Sequence, residues 1–337
     1  MRQVWITKKG PPEVLQVRES PDPEAGQGQV RIRVRAAGVN FADLMARVGL
    51  YPDAPKLPCV IGYEVSGVLD QVGAGVAGLA VGDRVFGMPK FGGYTDVLVL
   101  DAAQVFKLPE RMTFEEGAAL PVVYLTAHHM MHFTGYLRPG SSVLIHSAAG
   151  GVGIAAIQLA KARDCVIFGS ASAGKHDFLR AQGVQHPIDA GGDYVAQVRA
   201  LVGSRGVDLI LDPVGGKSWG EGYDLLGACG RLVAFGLSAA ASGKTRSLFH
   251  AASQVIKVKK FSPMKMMDAN KTVGGTNMGH LFDRLDILRP QFEALLAMFE
   301  AGEIKPRVDK TFRFDDAPAS HHYIHDRKAM GKVLLVP

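Results

Sequence analysis

The sequence predicts an α/β fold in which a β-rich part leads into a doubly wound parallel sheet, and three observations predict it. Residues Gln3 to about Leu120 consist of short strand-like runs broken by glycine and proline. From Val123 to about Met278, apolar runs of strand length alternate with segments of helical period. At the first alternation, Ser142 to Ser172, the period changes at Ala148-Ala149-Gly150-Gly151-Val152-Gly153, a glycine-rich strand-to-helix turn.

Met1-Arg2-Gln3-Val4-Trp5-Ile6 opens on a strand pattern, without the apolar core and cleavage site of a signal peptide, so the cytoplasm is the expected compartment. In the alternating part, strands are expected at Val143, Val166, near Ile188, from Val207 to Leu211 and at Leu232. Helices are expected from Gly151, Lys175, Tyr194 and Lys217. On the helix after Gly151, Val152, Ala155, Ala156, Leu159 and Ala160 fall on one face. After Arg284, Leu288, Phe292, Leu295, Leu296 and Phe299 mark an amphipathic helix that stops at Gly302. Gly331-Lys332-Val333-Leu334-Leu335-Val336 reads as a last strand. These patterns divide the chain at 1–122, 123–278 and 279–337.

A chain of 337 residues fits two domains and a core that needs neither disulfides nor metal. With 47% hydrophobic and 21% charged residues, it has the composition of a globular protein, and no run approaches a membrane span. Cys59, Cys165 and Cys229 are widely spaced and contain no CxxC pair, which fits reduced packing thiols. The net charge of +6 is spread along the chain, so no nucleic-acid partner is expected. Lys257, Lys259, Lys260 and Lys265 make one local basic run, read as a solvated face. Met264, Met266 and Met267 beside it fit either a mobile apolar wall or core.

The glycine-rich turn outlines a dinucleotide site. Gly150 and Gly151 remove side chains where a pyrophosphate approaches the backbone, Gly153 lets helix and strand pack closely, and the helix N-terminus offers N–H groups to the anion. An Asp or Glu ending the second strand would accept from the ribose hydroxyls of NAD. Here Cys165-Val166-Ile167-Phe168-Gly169 runs instead into Ser170-Ala171-Ser172-Ala173-Gly174-Lys175, which offers hydroxyls and a cation. That composition suits the 2′-phosphate of NADPH.

Several segments carry a family resemblance: Gly38-Val39-Asn40-Phe41-Ala42-Asp43, Gly49-Leu50-Tyr51-Pro52, Gly62-Tyr63-Glu64-Val65-Ser66-Gly67, Val81-Gly82-Asp83-Arg84-Val85 and the glycine-rich turn. With them the chain resembles, over its whole length, the zinc-free quinone oxidoreductases of the medium-chain dehydrogenase/reductase superfamily. Asp212-Pro213-Val214-Gly215-Gly216 and Gly331 to Pro337 look like the vesicle amine transport protein homologues, a historical name. The resemblance implies a GroES-like β-rich catalytic domain completed by the C-terminal segment, a Rossmann domain between them, and a homodimer.

Zinc members of this superfamily hold the catalytic ion with a Cys, a His and another Cys or Asp. By resemblance those positions are Asn40, Tyr63, and Val122 or Val123, so no metal site is expected. His128, His129 and His132, and likewise His321, His322 and His325, include pairs at i, i+4, but no carboxylate or Cys accompanies them. Without a Lewis acid, the chemistry expected is hydride transfer to a quinone or an enone. Donors near the developing oxyanion are then required, and Asn40, Tyr51 and Tyr63 are the candidates.

The resemblance further implies Asn40 and Asp43 beside the nicotinamide ribose and ring, Thr126 near the nicotinamide, and Tyr51 at the substrate opening. It puts Ala149, Gly150, Gly151, Val152 and Gly153 at the pyrophosphate, Ser172 and Lys175 at the 2′-phosphate, Phe235 and Ser238 near the nicotinamide half, and Arg327 at the adenosine end. Tyr51 is equally readable as a turn tyrosine packed before Pro52, and Asp43 as a loop anchor. Met45 and Ala190 stand where many relatives carry tyrosines. A second function class remains open: a lipid- or membrane-associated NADPH-binding protein with little catalysis, suggested by the basic run with its interleaved Phe261 and methionines.

Overall fold

The computed structural model describes residues 1–241 and 248–337. Its N-terminal part begins with β1 (Arg2–Ile6), β2 (Leu15–Glu19), β3 (Gln29–Val39), helix α1 (Phe41–Val48) and β4 (Cys59–Val60). It continues with β5 (Val65–Val72), β6 (Arg84–Gly87), β7 (Val97–Asp101), β8 (Val105–Lys107), α2 (Phe114–Ala119) and α3 (Pro121–His129). In β3, Val30, Ile32, Val34 and Ala36 alternate inward, which makes it a core strand.

The middle part comprises β9 (Ser142–Ile145), α4 (Gly151–Lys161), β10 (Val166–Ala171), α5 (His176–Gln182), β11 (His186–Asp189), α6 (Tyr194–Val202), β12 (Val207–Asp212), α7 (Ser218–Leu225) and β13 (Leu226–Ala234). It then runs through α8 (Leu248–Ile256), α9 (Pro263–Ala269) and β14 (Thr272–Gly275). The six strands form one parallel sheet in the order β11-β10-β9-β12-β13-β14. This is the dinucleotide-binding order, with its switch point between β9 and β12, where the crevice for a ligand opens beyond the strand ends.

The chain finishes with α10 (Leu285–Glu300), β15 (Val308–Arg313), α11 (Ala317–His325) and β16 (Lys332–Val336). β15 and β16 extend the N-terminal sheet, whose order is β15-β16-β3-β5-β6-β8, with β7 also on β3. The register decides the site: β7 covers Gln29 to Arg33 of β3, and β16 takes the same edge further on, pairing Leu335, Leu334 and Val333 with Ala37, Gly38 and Val39. The last strand therefore arrives beside Asn40.

One apolar cluster runs from Tyr63, Phe86 and Phe106 through α3 and α4 to Phe292, Leu295 and Phe299 of α10, so the two domains share a core. This explains a departure from the expected one-faced helix. Ile154 and Ile157 are buried along with Ala155, Ala156, Leu159 and Ala160, because α4 is packed between the sheet and α3. At the surface, Met264 and Met267 are exposed, which removes the core alternative for them, and Cys229 is exposed where a packing thiol is expected. The helix expected from Lys175 begins at His176, after a 3-10 turn over Ala173–Lys175. Among the described residues no helix is long and apolar enough to cross a membrane.

Candidate functional site

The glycine-rich turn caps β9 at the switch point, and Gly150 is the N-cap of α4. A Cβ at Gly153 would lie 2.4 Å from the Ala148 carbonyl oxygen, so only glycine lets the helix start this close to the strand. At Gly150 the same atom would meet nothing nearer than 3.4 Å, leaving the backbone open to an approaching anion. Ala148 and Ala149 are buried, while Gly151 and Val152 are partly exposed. Across the crevice, the Phe235 and Ser238 N–H groups donate to the Asp212 and Pro213 carbonyls, and the Asp212 carboxylate accepts from the Val214 N–H at 2.6 Å. These bonds hold the loop after β13 against the end of β12.

At the end of β10 no acid appears, and Ser172 is exposed. The Lys175 ammonium donates to the carbonyls of Arg327 at 2.6 Å and Ala329 at 2.7 Å, which brings Lys175 and the Arg327 segment together. Partial burial lowers the Lys175 pKa, partly offset by Asp309.

The other half of the site is built around Asn40, the N-cap of α1. Its Nδ2 donates to Glu64 Oε1 at 2.8 Å, and its Oδ1 accepts from Lys332 Nζ at 2.6 Å. Lys332 also meets Glu64 Oε1 at 2.5 Å, and Glu64 Oε2 accepts from the Val122 N–H at 2.7 Å. Asp43 is fully buried. Its carboxylate accepts from the Asn40 N–H at 2.7 Å, the Tyr94 hydroxyl at 2.9 Å and the Gly62 N–H at 3.2 Å. Burial raises its pKa to about 7, against the pull of those donors and of Lys332. With its oxygens so engaged, Asp43 anchors the Asn40 and Gly62 loops. Thr126, on α3, returns its hydroxyl to the Val122 carbonyl at 2.6 Å.

Tyr63 lies in an aromatic wall. Its ring is 5.3 Å from Phe91, 6.3 Å from Phe282 in a nearly parallel plane, and 6.4 Å edge-on from Tyr51. The Tyr63 hydroxyl is buried without a hydrogen-bond partner of normal geometry, although Tyr51 lies close enough for each to influence the other's ionisation. Burial raises both phenol pKa values, so both hydroxyls keep their protons at neutral pH. An unpaired buried donor costs free energy unless something accepts from it.

Sequence reasoning missed Lys332, Glu64 and Tyr94 as site residues. Lys332 carried the readable signal, since a lone lysine in a buried strand requires a partner.

His128 and Gln291 are 3.0 Å apart, and the His128 and His132 rings are 4.4 Å apart. Burial lowers both pKa values, that of His132 to about 4. The unfolded chain, with histidines near 6.5, binds their protons first, so their contribution to stability is complete above about pH 6.5 and is lost as pH falls toward 4. His129, His146 and His321 shift the same way, whereas Asp43, raised, opposes them below pH 7. We expect thermal unfolding at pH 5 to begin lower than at pH 7 by at least about 2 °C, and His132→Phe to reduce that difference. An unfolding temperature that is level or rises on acidification would contradict this balance.

Residues 26–110 match the family model described as alcohol dehydrogenase GroES-like domain, and residues 182–335 match that described as zinc-binding dehydrogenase. A rat protein named synaptic vesicle membrane protein VAT-1 homolog is 42% identical over 325 residues, spanning 96% of this chain and 80% of the relative. The crystal structure of human synaptic vesicle membrane protein VAT-1 homolog-like protein superposes with a TM-score of 0.87 at 32% identity, covering 100% of this chain and 98% of that one. Escherichia coli quinone oxidoreductase complexed with NADPH gives a TM-score of 0.88 at 28% identity, with both chains fully covered. Zinc does not fit the residues present: a carboxamide and a carboxylate are already joined by an ammonium, and Tyr63 and Val122 offer no metal-binding nitrogen or sulfur. Among the described residues no group of three His, Cys, Asp or Glu is arranged to hold a metal ion. On its sequence relatives, its matched domains and its sheet order, the chain belongs to the medium-chain dehydrogenase/reductase superfamily of oxidoreductases, among the VAT-1 homologues.

Proposed function

We propose that this chain is a zinc-independent reductase that uses NADPH to reduce a quinone or another activated conjugated carbonyl. The observation that carries this reading is the Tyr63 hydroxyl, buried in an aromatic wall without a hydrogen-bond partner, in the same chain as an open glycine turn at the sheet's switch point that Gly331 and Lys332 tie to Asn40. When bound, NADPH supplies the hydride. Gly150, Gly151 and the α4 N-terminus hold the pyrophosphate, and Ser172, Lys175 and Arg327 hold the 2′-phosphate. Asn40, Thr126, Phe235 and Ser238 place the nicotinamide half, with Asp43 fixing Asn40 from behind. Tyr63 and Tyr51 donate hydrogen bonds to the oxygen that gains charge as the acceptor is reduced, and solvent supplies the proton that completes the hydroquinone or ketone.

The test is NADPH oxidation with a panel of naphthoquinones, phenanthrenequinone and enones, alongside simple alcohols with NADP⁺. Turnover is expected with the first group only. Tyr51→Phe should lower kcat several-fold with NADPH affinity unchanged. If it matches the parent on every substrate, Tyr51 is a packing residue.

A second reading is favoured by a group of exposed apolar and basic residues close together in sequence. Phe249 is 93% and Ile256 83% exposed, with Met264 and Met267 also exposed near Lys257, Lys260 and Lys265. Binding to anionic liposomes without reduction of any quinone or enone would support a membrane-associated protein instead. Among the described residues no strand pairs with the outer edge of β14, which fits a homodimer built through that strand, and the mass of the chain in solution tests this.

A further inference from the structure

We propose that Lys332 is the positioning residue of this site: its ammonium, clamped by Glu64, locks the Asn40 carboxamide in one orientation and so sets how the nicotinamide half of the cofactor lies. The inference rests on the NADPH reading above.

Lys332 is 3% exposed and Glu64 fully buried. Replacing a buried ion pair by apolar side chains is often neutral for stability, so a strand that only filled space would not need one. Orientation is what the pair adds. With Nδ2 on the carboxylate and Oδ1 on the ammonium, the Asn40 amide has one allowed direction. Flipping it would set NH₂ against NH₃⁺ and oxygen against oxygen. One Nδ2 hydrogen and one Oδ1 lone pair then remain for a ligand.

Three other features converge on the same node. A Cβ at Gly38 would come within 2.2 Å of Glu64 Oε1, so the β3 backbone is bare where the carboxylate packs. Glu64 also holds the Val122 N–H at the start of α3, the helix that carries Thr126. Gly331 forms a parallel bridge with Gly150, and Lys332 follows it directly. The Gly331–Lys332 peptide, at the entry to β16, thus joins the glycine turn, where a pyrophosphate binds, to the Asn40 end of the site.

The test compares the parent with Lys332→Met, Lys332→Arg and the double variant Lys332→Met/Glu64→Gln. Readouts are thermal unfolding, NADPH affinity and the affinity for adenosine 2′,5′-bisphosphate, which lacks the nicotinamide half. Lys332→Met alone leaves Glu64 buried and unpaired, so it should unfold at a lower temperature. The double variant removes both charges and should unfold near the parent. It should nevertheless bind NADPH about tenfold more weakly, the effect of losing one charged hydrogen bond, while binding the bisphosphate like the parent. Lys332→Arg keeps the charge but not a single nitrogen between the two oxygens, so it should recover stability and not NADPH affinity. A double variant with parental NADPH affinity would make the node purely structural and overturn the proposal, as would an equal loss for both ligands. A parent that binds neither ligand would instead remove the cofactor reading beneath it.

Discussion

Gly153→Ala is expected to destabilise the protein by about 3 kcal/mol, the upper part of the range for overpacking a close-packed site. The added methyl group would sit 2.4 Å from the Ala148 carbonyl oxygen and 2.6 Å from two further backbone atoms of that residue. Backbone cannot rotate aside as a side-chain tip can. Nor can α4 tilt away, since it is packed between the sheet and α3. The turn after β9 must therefore shift, and the α4 N-terminus with it, so NADPH affinity should fall together with stability. Thermal unfolding should move down by roughly 4 °C. Gly174→Ala, where the new Cβ would meet nothing within 4 Å, is the control and should be nearly silent. A Gly153→Ala protein that unfolds with the parent would show that the turn has slack which the contacts deny.

Lys175→Ala should narrow the preference for NADPH over NADH by tenfold or more, because a charged hydrogen bond to a phosphate contributes about 1.5 to 3 kcal/mol. Two of the three ammonium hydrogens are engaged by the Arg327 and Ala329 carbonyls, which leaves the third for a ligand in a turn whose Ser172 is exposed. The same bonds predict a secondary effect: without them the Arg327 segment loosens, so NADPH affinity should fall more than NADH affinity rises. Competitive titration of both nucleotides against parent and variant measures this. Equal affinities in the parent would remove the 2′-phosphate assignment.

Much of the candidate site was legible because its parts are local. The glycine turn, the strand before it and the acid-free end of the next strand occupy one continuous stretch, Ser142 to Lys175, so the pattern that suggests their roles is local. The family resemblance adds Asn40, Tyr63, and Val122 or Val123 at the positions where zinc relatives carry metal-binding residues. Tyr51 reads equally as a pocket or a packing residue, and its ring, edge-on to Tyr63 and packed against both apolar clusters, is compatible with either.

What the chain determined by itself was the alternation of periods, and through it the order of elements, the doubly wound sheet and the cofactor turn, since each depends on neighbours within a few residues. Tertiary structure alone decided which distant groups meet. Lys332 lies 292 residues from Asn40, and their contact depends on β16 sharing an edge of β3 with β7, a choice of sheet register that no local pattern encodes. The same holds for Asp43 with Tyr94 and for the Tyr63 wall with Phe282. Burial then changed the chemistry of these groups: in a low-dielectric interior a carboxyl rises toward neutrality, a histidine stays uncharged and a phenol keeps its proton.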